Sequence, residues 1–244
     1  MSLARLAIVF NDTLARLEAS FAELQRFTAD ASHELRSPLT ALRAVGEVAL
    51  RDGNDPAALR ETIGSMLEEA QRLTDLVDAL LTLARMDATK ADAARGEVNI
   101  ATLLDEVRDQ FEVLANEKRQ TIAVTSDDDL TVQADRTLLH LALVNLVHNA
   151  IQHGPADSKI SITAVRSARK IDISVKDNGP GIPREYHEKV FERFFRVDKA
   201  RSRARGGAGL GLAIAKQSVE RNGGRIVLES NSDRGSVFRI EFET

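Results

Sequence analysis

The stretch Ala31-Ser32-His33-Glu34-Leu35-Arg36-Ser37-Pro38-Leu39 sets a histidine beside a carboxylate, shortly ahead of a proline, inside a long apolar-periodic segment. Around it, Phe10, Leu14, Leu17, Phe21, Leu24, Thr28, Ala31, Leu35, Pro38, Leu42, Val45 and Ala49 recur in alternating steps of four and three. That spacing predicts a long helix with a coiled-coil seam. On the same frame His33 falls at position f, furthest from the seam, a place that by itself slightly favours surface decoration. Pro38 weighs against the bland reading. Proline inside a helix removes the bond to the carbonyl four residues back, here that of Glu34, and bends the helix at a cost of about 3 kcal/mol. A coiled coil gains nothing from such a defect unless a distortion beside His33 is wanted.

Downstream, Arg51-Asp52-Gly53-Asn54-Asp55-Pro56 reads as a helix stop and restart. Gly53 suits a C-cap, Asp55 an N-cap and Pro56 the first helical position of the next element. A second helix follows, with Leu59, Ile63, Met66, Ala70, Leu73, Val77, Leu80 and Ala84 on its seam. Leu67, Leu76, Leu81 and Leu83 widen that stripe. A two-helix hairpin buries too little to stand alone, so the expected solution is a four-helix bundle built by a homodimer.

Composition narrows the classes. Hydrophobic content of 43% and charged content of 29% are ordinary for a globular chain. The net charge of −4 gives no reason to expect nucleic acid as a partner. The absence of cysteine excludes a disulfide framework and a thiolate zinc site, and fits a reducing compartment. No apolar run approaches the roughly 20 residues of a membrane span, and no signal-like segment follows Met1. The sequence as it stands predicts a soluble chain.

Between Met86 and Gly96 the periodicity dissolves into a linker, and the texture then changes. Strands are expected at Val98–Ile100, Thr121–Val124, Leu130–Val132, Ile160–Val165, Ile171–Asp177, Arg225–Ser230 and Val237–Phe242. Helices are expected from Thr102 to about Lys118, from Asp135 as cap to about His153, near Glu185–Val190, and from about Gly209 to Arg221. Strands in neighbouring pairs with helices between them predict an α+β sandwich, one mixed sheet under a helical layer.

Three places in this second domain carry chemistry. Asn145 and Asn149 lie four apart on one helix face, as surface amides or as the lining of a polar site. Period two puts Asp177 on the same strand face as Ile171, Ile173 and Val175. A carboxylate continuing a core-facing row must find a donor or be raised in pKa, and a purine's exocyclic amine is such a donor. Gly179 and Gly181 then let backbone pass close to a ligand, although a simple strand-ending turn has the same composition. The third place is Gly206-Gly207-Ala208-Gly209-Leu210-Gly211-Leu212, whose alternate glycines lead into a helix start where a phosphate can rest. It is neither a P-loop nor a dinucleotide fingerprint. Arg196, Arg201, Arg203 and Arg205 precede it, either as a solvated charge run or as cations closing on an anion.

The order of these signals, with Phe191-Glu192-Arg193-Phe194-Phe195-Arg196 between the last two, resembles that of the two-component sensor histidine kinases. The resemblance runs from roughly Phe10 to Phe242: His33 to Pro38 looks like the H box, Asn145 to Asn149 the N box, Asp177 to Gly181 the G1 box, Phe191 to Arg196 the F box, and Gly207 to Gly211 the G2 box. It implies an end of a HAMP-like signalling helix over 1–20, a dimerisation and histidine phosphotransfer domain over 21–88, a linker over 89–97 and a catalytic ATP-binding domain over 98–244. By the same resemblance His33 is the phospho-accepting nucleophile, and Glu34 its general base or the group that holds its tautomer. Asn149 helps hold Mg²⁺ against ATP, with Asn145 beside it. Asp177 takes the adenine amine, and Gly179 and Gly181 shape the adenine wall. Arg196 and the backbone of Gly207, Gly209, Leu210 and Gly211 steady the phosphates. The phosphoryl group then passes to an aspartate on the receiver domain of a response regulator. Ser37, where threonine is more usual, stands where a hydroxyl orients water for dephosphorylating that regulator. The cytoplasmic half of a bacterial inner-membrane receptor is implied, with the membrane reached only through an N-terminal part outside this sequence.

Gyrase-like and chaperone relatives of this ATPase fold carry a glutamate one turn before the metal-binding asparagine. Asn145 stands there and is no strong base, which favours transfer to His33 over hydrolysis. The alternatives are a hydrolytic ATPase of the same fold and a binding scaffold with a decayed kinase site.

Overall fold

The computed structural model describes residues 3–52, 55–88, 95–167, 169–197, 207–230 and 235–243. They fall into two compact units, Met1–Asp78 and Ala79–Thr244. Gly53, Arg201, Arg203, Arg205 and Gly206 lie outside the described residues.

The first unit is built on helix α1 (Leu3–Asp52) and the greater part of helix α2 (Pro56–Ala88). Asp55 caps α2 as its sequence predicts, its Oδ1 accepting from Ala57 N at 3.0 Å. The α1 seam is real: Ala31 and Pro38 are buried, and Leu35, Leu42, Val45 and Ala49 are half-buried. Gly46 of α1 lies against Met66 of α2, whose Cε would sit 3.6 Å from a Cβ there. α1 continues unbroken through Pro38. Pro38 is buried, so the missing amide bond is offset locally by apolar burial.

On α2 the expected seam is redistributed. Leu76 is buried, whereas Ile63 and Val77 remain exposed, together with Leu59, Leu67 and Leu81. These exposed residues trace a second apolar row along the helix. α1 is 50 residues long against 33 for α2, so its N-terminal part outruns the hairpin, and there Phe10, Leu14, Leu17, Phe21 and Leu24 are exposed. No described helix is long and apolar enough to cross a membrane.

The second unit is an α+β sandwich. A five-stranded sheet runs in the order β2 (Thr121–Ser126), β4 (Lys159–Ser167), β5 (Lys170–Lys176), β7 (Ser236–Glu243), β6 (Arg225–Ser230). β2 and β4 pair in parallel and the remaining neighbours antiparallel. A separate antiparallel pair joins β1 (Gly96–Asn99) to β3 (Thr131–Ala134). Helices α3 (Ile100–Glu117), α4 (Arg136–His153) and α5 (Gly211–Arg221) form the covering layer. The core lies between, with Ile162, Ile173 and Ile240 of the sheet and Leu139, Leu143 and Leu146 of α4 fully buried.

Boundaries moved where caps act. α3 starts at Ile100, ahead of Thr102, because Asn99 Oδ1 accepts from Thr102 N at 3.0 Å. The segment expected as a helix near Glu185–Val190 is two short 3₁₀ turns, Arg184–Tyr186 and Lys189–Phe191. α5 begins at Gly211, since Gly209 holds a left-handed φ of 72° that no right-handed helix accommodates.

Candidate active site

α4 and α5 place the site. Asp135 caps α4, its Oδ1 accepting from Thr137 N at 2.8 Å and Leu138 N at 3.1 Å. The same residue is clamped to the end of α5: Asp135 N donates to Asn222 Oδ1 at 2.7 Å, and Asn222 Nδ2 donates to Asp135 O at 3.2 Å. With the end of α5 fixed at the start of α4, the start of α5 falls beside the later turns of α4. There Asn145 Oδ1 lies 2.9 Å from where a Gly211 Cβ would stand. Only glycine fits without displacing that amide. Further along α4, Gln152 Oε1 lies 3.3 Å from the Cβ position of Gly207.

β5 delivers the carboxylate to the same region. Ile171, Ile173 and Val175 are buried, and Asp177 continues their face at 4% exposure. Its Oδ1 accepts from Gly179 N at 2.7 Å and Ser236 N at 3.3 Å. Burial pushes the Asp177 pKa up, opposed by those two backbone hydrogen bonds. A buried carboxylate with both donors on one oxygen leaves the other oxygen able to accept from a ligand amine. Gly179 is tight because a Cβ would meet Asp177 Oδ1 at 2.8 Å and the carbonyl of His153, in the last turn of α4, at 3.2 Å. Gly181 takes a left-handed φ of 72°.

The glycine run ends at an open helix start. Among the described residues no side chain caps α5, which leaves its first-turn N–H groups for an anion. Leu210 contributes backbone only, its side chain being 1% exposed in the core. Phe194 of the phenylalanine stretch has a φ of 63°, and its N–H donates to Gly209 O at 2.9 Å. Arg196 is half-buried two residues later.

The sequence reading missed four contributors. A Gly235 Cβ would fall 2.0 Å from Asp177 O, and Gly235 also has a φ of 76°. Ser236 donates its amide to Asp177. Ser230 Oγ accepts from Ile182 N at 2.8 Å and donates to Gly235 O at 2.8 Å, tying the loop after Asp177 to β6. Gln152 faces the glycine run. In sequence, Gly235-Ser236 is an ordinary turn ahead of a strand; the strand pairing of β5 with β7 gives it meaning.

In the hairpin unit His33 is exposed, as position f requires, and Glu34 is half-buried. The His33 ring and the Glu34 carboxylate are not hydrogen-bonded to each other among the described residues. Adjacent helix positions diverge by about 100°, which keeps the two side chains apart until one rotates. Ser37 Oγ donates to His33 O at 3.4 Å, a long back-bond that leaves the hydroxyl easily turned. Among the described residues no group of three or more His, Cys, Asp or Glu is placed to hold a metal ion.

An α+β sandwich with a buried carboxylate at one strand end and an open, glycine-led helix start defines a nucleotide-binding domain, here following a helical hairpin with an exposed histidine. Residues 134–244 match the family of histidine kinase-, DNA gyrase B- and HSP90-like ATPases, and residues 23–89 match the His kinase A phospho-acceptor domain. The chain belongs to the two-component sensor histidine kinases, and comprises their phospho-acceptor and ATP-binding regions. It is 38% identical over 239 residues to the sensor-like histidine kinase SenX3 of Mycobacterium tuberculosis, covering 97% of this chain and 58% of SenX3. It is 36% identical over 233 residues to the sensor protein IrlS of Burkholderia pseudomallei, covering 96% of this chain and 50% of IrlS. The chain thus spans only about half the length of the curated relatives it matches. Among solved structures, the histidine kinase ThkA in complex with the response regulator TrrA is similar at 31% identity and a TM-score of 0.76, covering 93% of this chain and 63% of that one.

Proposed function

We propose that this chain is the core of an ATP-dependent protein histidine kinase, which phosphorylates His33 and passes the phosphoryl group to an aspartate of a response regulator. The observation that carries the choice of reaction is Asn145. One turn before Asn149, where a hydrolase needs a base for water, stands an amide whose Nδ2 donates to Leu141 O at 2.8 Å and whose Oδ1 abuts Gly211. It has no proton-accepting capacity to spare, so an attacking water goes unactivated. The exposed imidazole of His33 is the remaining nucleophile.

In the transfer, the neutral ring attacks the γ-phosphorus with its lone-pair nitrogen. An N–P bond forms, the bond from phosphorus to the β,γ-bridging oxygen breaks, and ADP leaves with that electron pair. The other ring nitrogen gives up its proton to Glu34 once the two side chains have turned together. Asp177 accepts from the adenine amine, and the backbone of Gly207, Gly209, Leu210 and Gly211, with Arg196, holds the phosphates. Asn149 offers an amide oxygen that would hold Mg²⁺, an ion that takes few protein ligands and leans on phosphate and water. Bound there, the ion would neutralise charge on the phosphates.

The exposed apolar rows on α1 and α2 support a homodimer closing a four-helix bundle. The complex of ThkA with TrrA supports a response regulator as recipient. A cytoplasmic portion of a membrane receptor, with residues 1–20 as the end of a signalling helix, fits both the long α1 and the longer relatives. Ser37 retains a hydroxyl that would orient water for hydrolysing the regulator's aspartyl phosphate, the phosphatase reaction.

The test is incubation with Mg²⁺ and γ-labelled ATP. Acid-labile, alkali-stable label on the protein, lost in His33→Gln, is expected. Phosphate release without label on the protein would refute the kinase in favour of the hydrolytic ATPase.

A further inference from the structure

The end of α2 and the later part of the linker are fastened to one helix. At the end of α2, Asp87 Oδ1 accepts from Gln217 Nε2 at 2.6 Å and from Arg193 Nη2 at 2.9 Å, and Asp87 Oδ2 lies 3.0 Å from the same Arg193 nitrogen. Arg221 Nη1 donates to the Met86 carbonyl. Near the far end of the linker, Arg95 Nη2 donates to Arg221 O at 2.9 Å. Gln217 and Arg221 are four apart, so they share one face of α5. The other end of α5 is the open helix start at Gly211, against Asn145. Arg193, too, leads to the nucleotide region, since the next residue, Phe194, is held in a left-handed conformation and bonded to Gly209 O. Two routes, one along α5 and one through Arg193–Phe194, therefore join the glycine run to Asp87.

Simple glue for a linker would need no such arrangement. Leu83 and Met86 are already buried in the same unit and supply apolar attachment. The charged pair is different in kind, with the Arg193 side chain 22% and the Asp87 side chain 45% exposed. Water can replace each partner at modest cost, as a contact that opens and closes requires. Transfer to His33 needs the reacting atoms within about 3–3.5 Å, and a domain held at the end of α2 has less freedom to reach that geometry.

We infer that Asp87, Arg193 and Gln217 form a latch that holds the nucleotide-binding domain to the last turn of α2, and that its opening releases the domain for transfer. The rate consequence rests on the kinase reading; the latch itself does not. The full chain is compared with Asp87→Ala and with the charge exchange Asp87→Arg/Arg193→Asp. By amide hydrogen exchange, Leu83–Ala88 should exchange at least fivefold faster in Asp87→Ala and return toward the parent in the exchange variant. Equal exchange in parent and Asp87→Ala would overturn the latch. With saturating Mg²⁺ and ATP, Asp87→Ala should label His33 about three- to tenfold faster, with affinity for a non-hydrolysable ATP analogue within twofold of the parent. A rate equal to or below the parent's, at retained affinity, would overturn the restraint. If no chain takes label at all, the kinase reading fails, and hydrogen exchange alone decides the latch.

Discussion

Asp177 concentrates the chemistry of the proposed nucleotide site in one side chain. Its burial raises its pKa, so the native state binds more protons than the unfolded chain across its titration. The sign follows: its contribution to stability is greatest while the carboxyl is protonated and falls as pH rises from the ordinary carboxylate range through the raised value. A ligand amine donates to the charged form, so nucleotide affinity runs the other way and weakens on acidification. Asp177→Asn separates the two effects. The variant keeps an Oδ1 acceptor for Gly179 and Ser236 but loses the charge, so the ligand-free melting temperature should hold or rise while ATP affinity drops about tenfold or more. It should also lose the acid-side dependence of affinity. Calorimetric melting and nucleotide titration at several pH values check this; unchanged ATP binding would remove Asp177 from the adenine site. The buried carboxylate was legible because period two extends the Ile171, Ile173, Val175 row to it. Gly235, which must be glycine because of Asp177's own carbonyl, was not legible, since that contact exists only once β7 lies beside β5.

At the scale of elements, heptad spacing and caps read well, and partner choice read less well. The α1 row of Ala31, Leu35, Pro38, Leu42 and Val45 does turn toward the hairpin, because step spacing alone fixes which residues share a face. On α2 the sequence offers two overlapping apolar rows, and spacing cannot say which meets α1. The structure turns Leu76 inward and leaves Leu59, Ile63 and Leu67 at 41%, 48% and 66% exposure. Such a row on a two-helix unit asks for a second copy. Replacing Ile63 and Leu67 together with Glu places charges in that interface and should convert a dimer to a monomer, with little loss of helix because both sites face solvent in the single chain. Light scattering across a concentration series and far-ultraviolet circular dichroism read the two effects. A parent chain that is monomeric at every concentration would remove the bundle. Helix α5 shows the opposite failure of reading, where its start was placed at Gly209 because glycine spacing carries no φ; the left-handed turn there delays the helix to Gly211.

Across the whole molecule, the division into Met1–Asp78 and Ala79–Thr244 separates the proposed nucleophile from the proposed nucleotide machinery, with His33 in one unit and Asn145, Asn149, Asp177 and the glycine run in the other. The sequence shows a change of periodicity after Met86, and on that change it places the boundary between the two parts later than Asp78. The last turns of α2 were not readable as part of the second unit: their helical pattern continues without a break, and the contacts of Asp87 with Arg193 and Gln217 that bind them there span more than a hundred residues of sequence. Compact units with separate cores transmit little from a surface substitution in one to a buried site in the other. His33→Gln should therefore abolish labelling while leaving ATP affinity within twofold and the association state unchanged. Asp177→Asn should weaken ATP binding while leaving the association state unchanged. Nucleotide titration and light scattering on the same preparations measure both. A His33→Gln chain that loses ATP affinity tenfold would mean that His33 helps build the nucleotide site, and the division of labour between the two units would have to be abandoned.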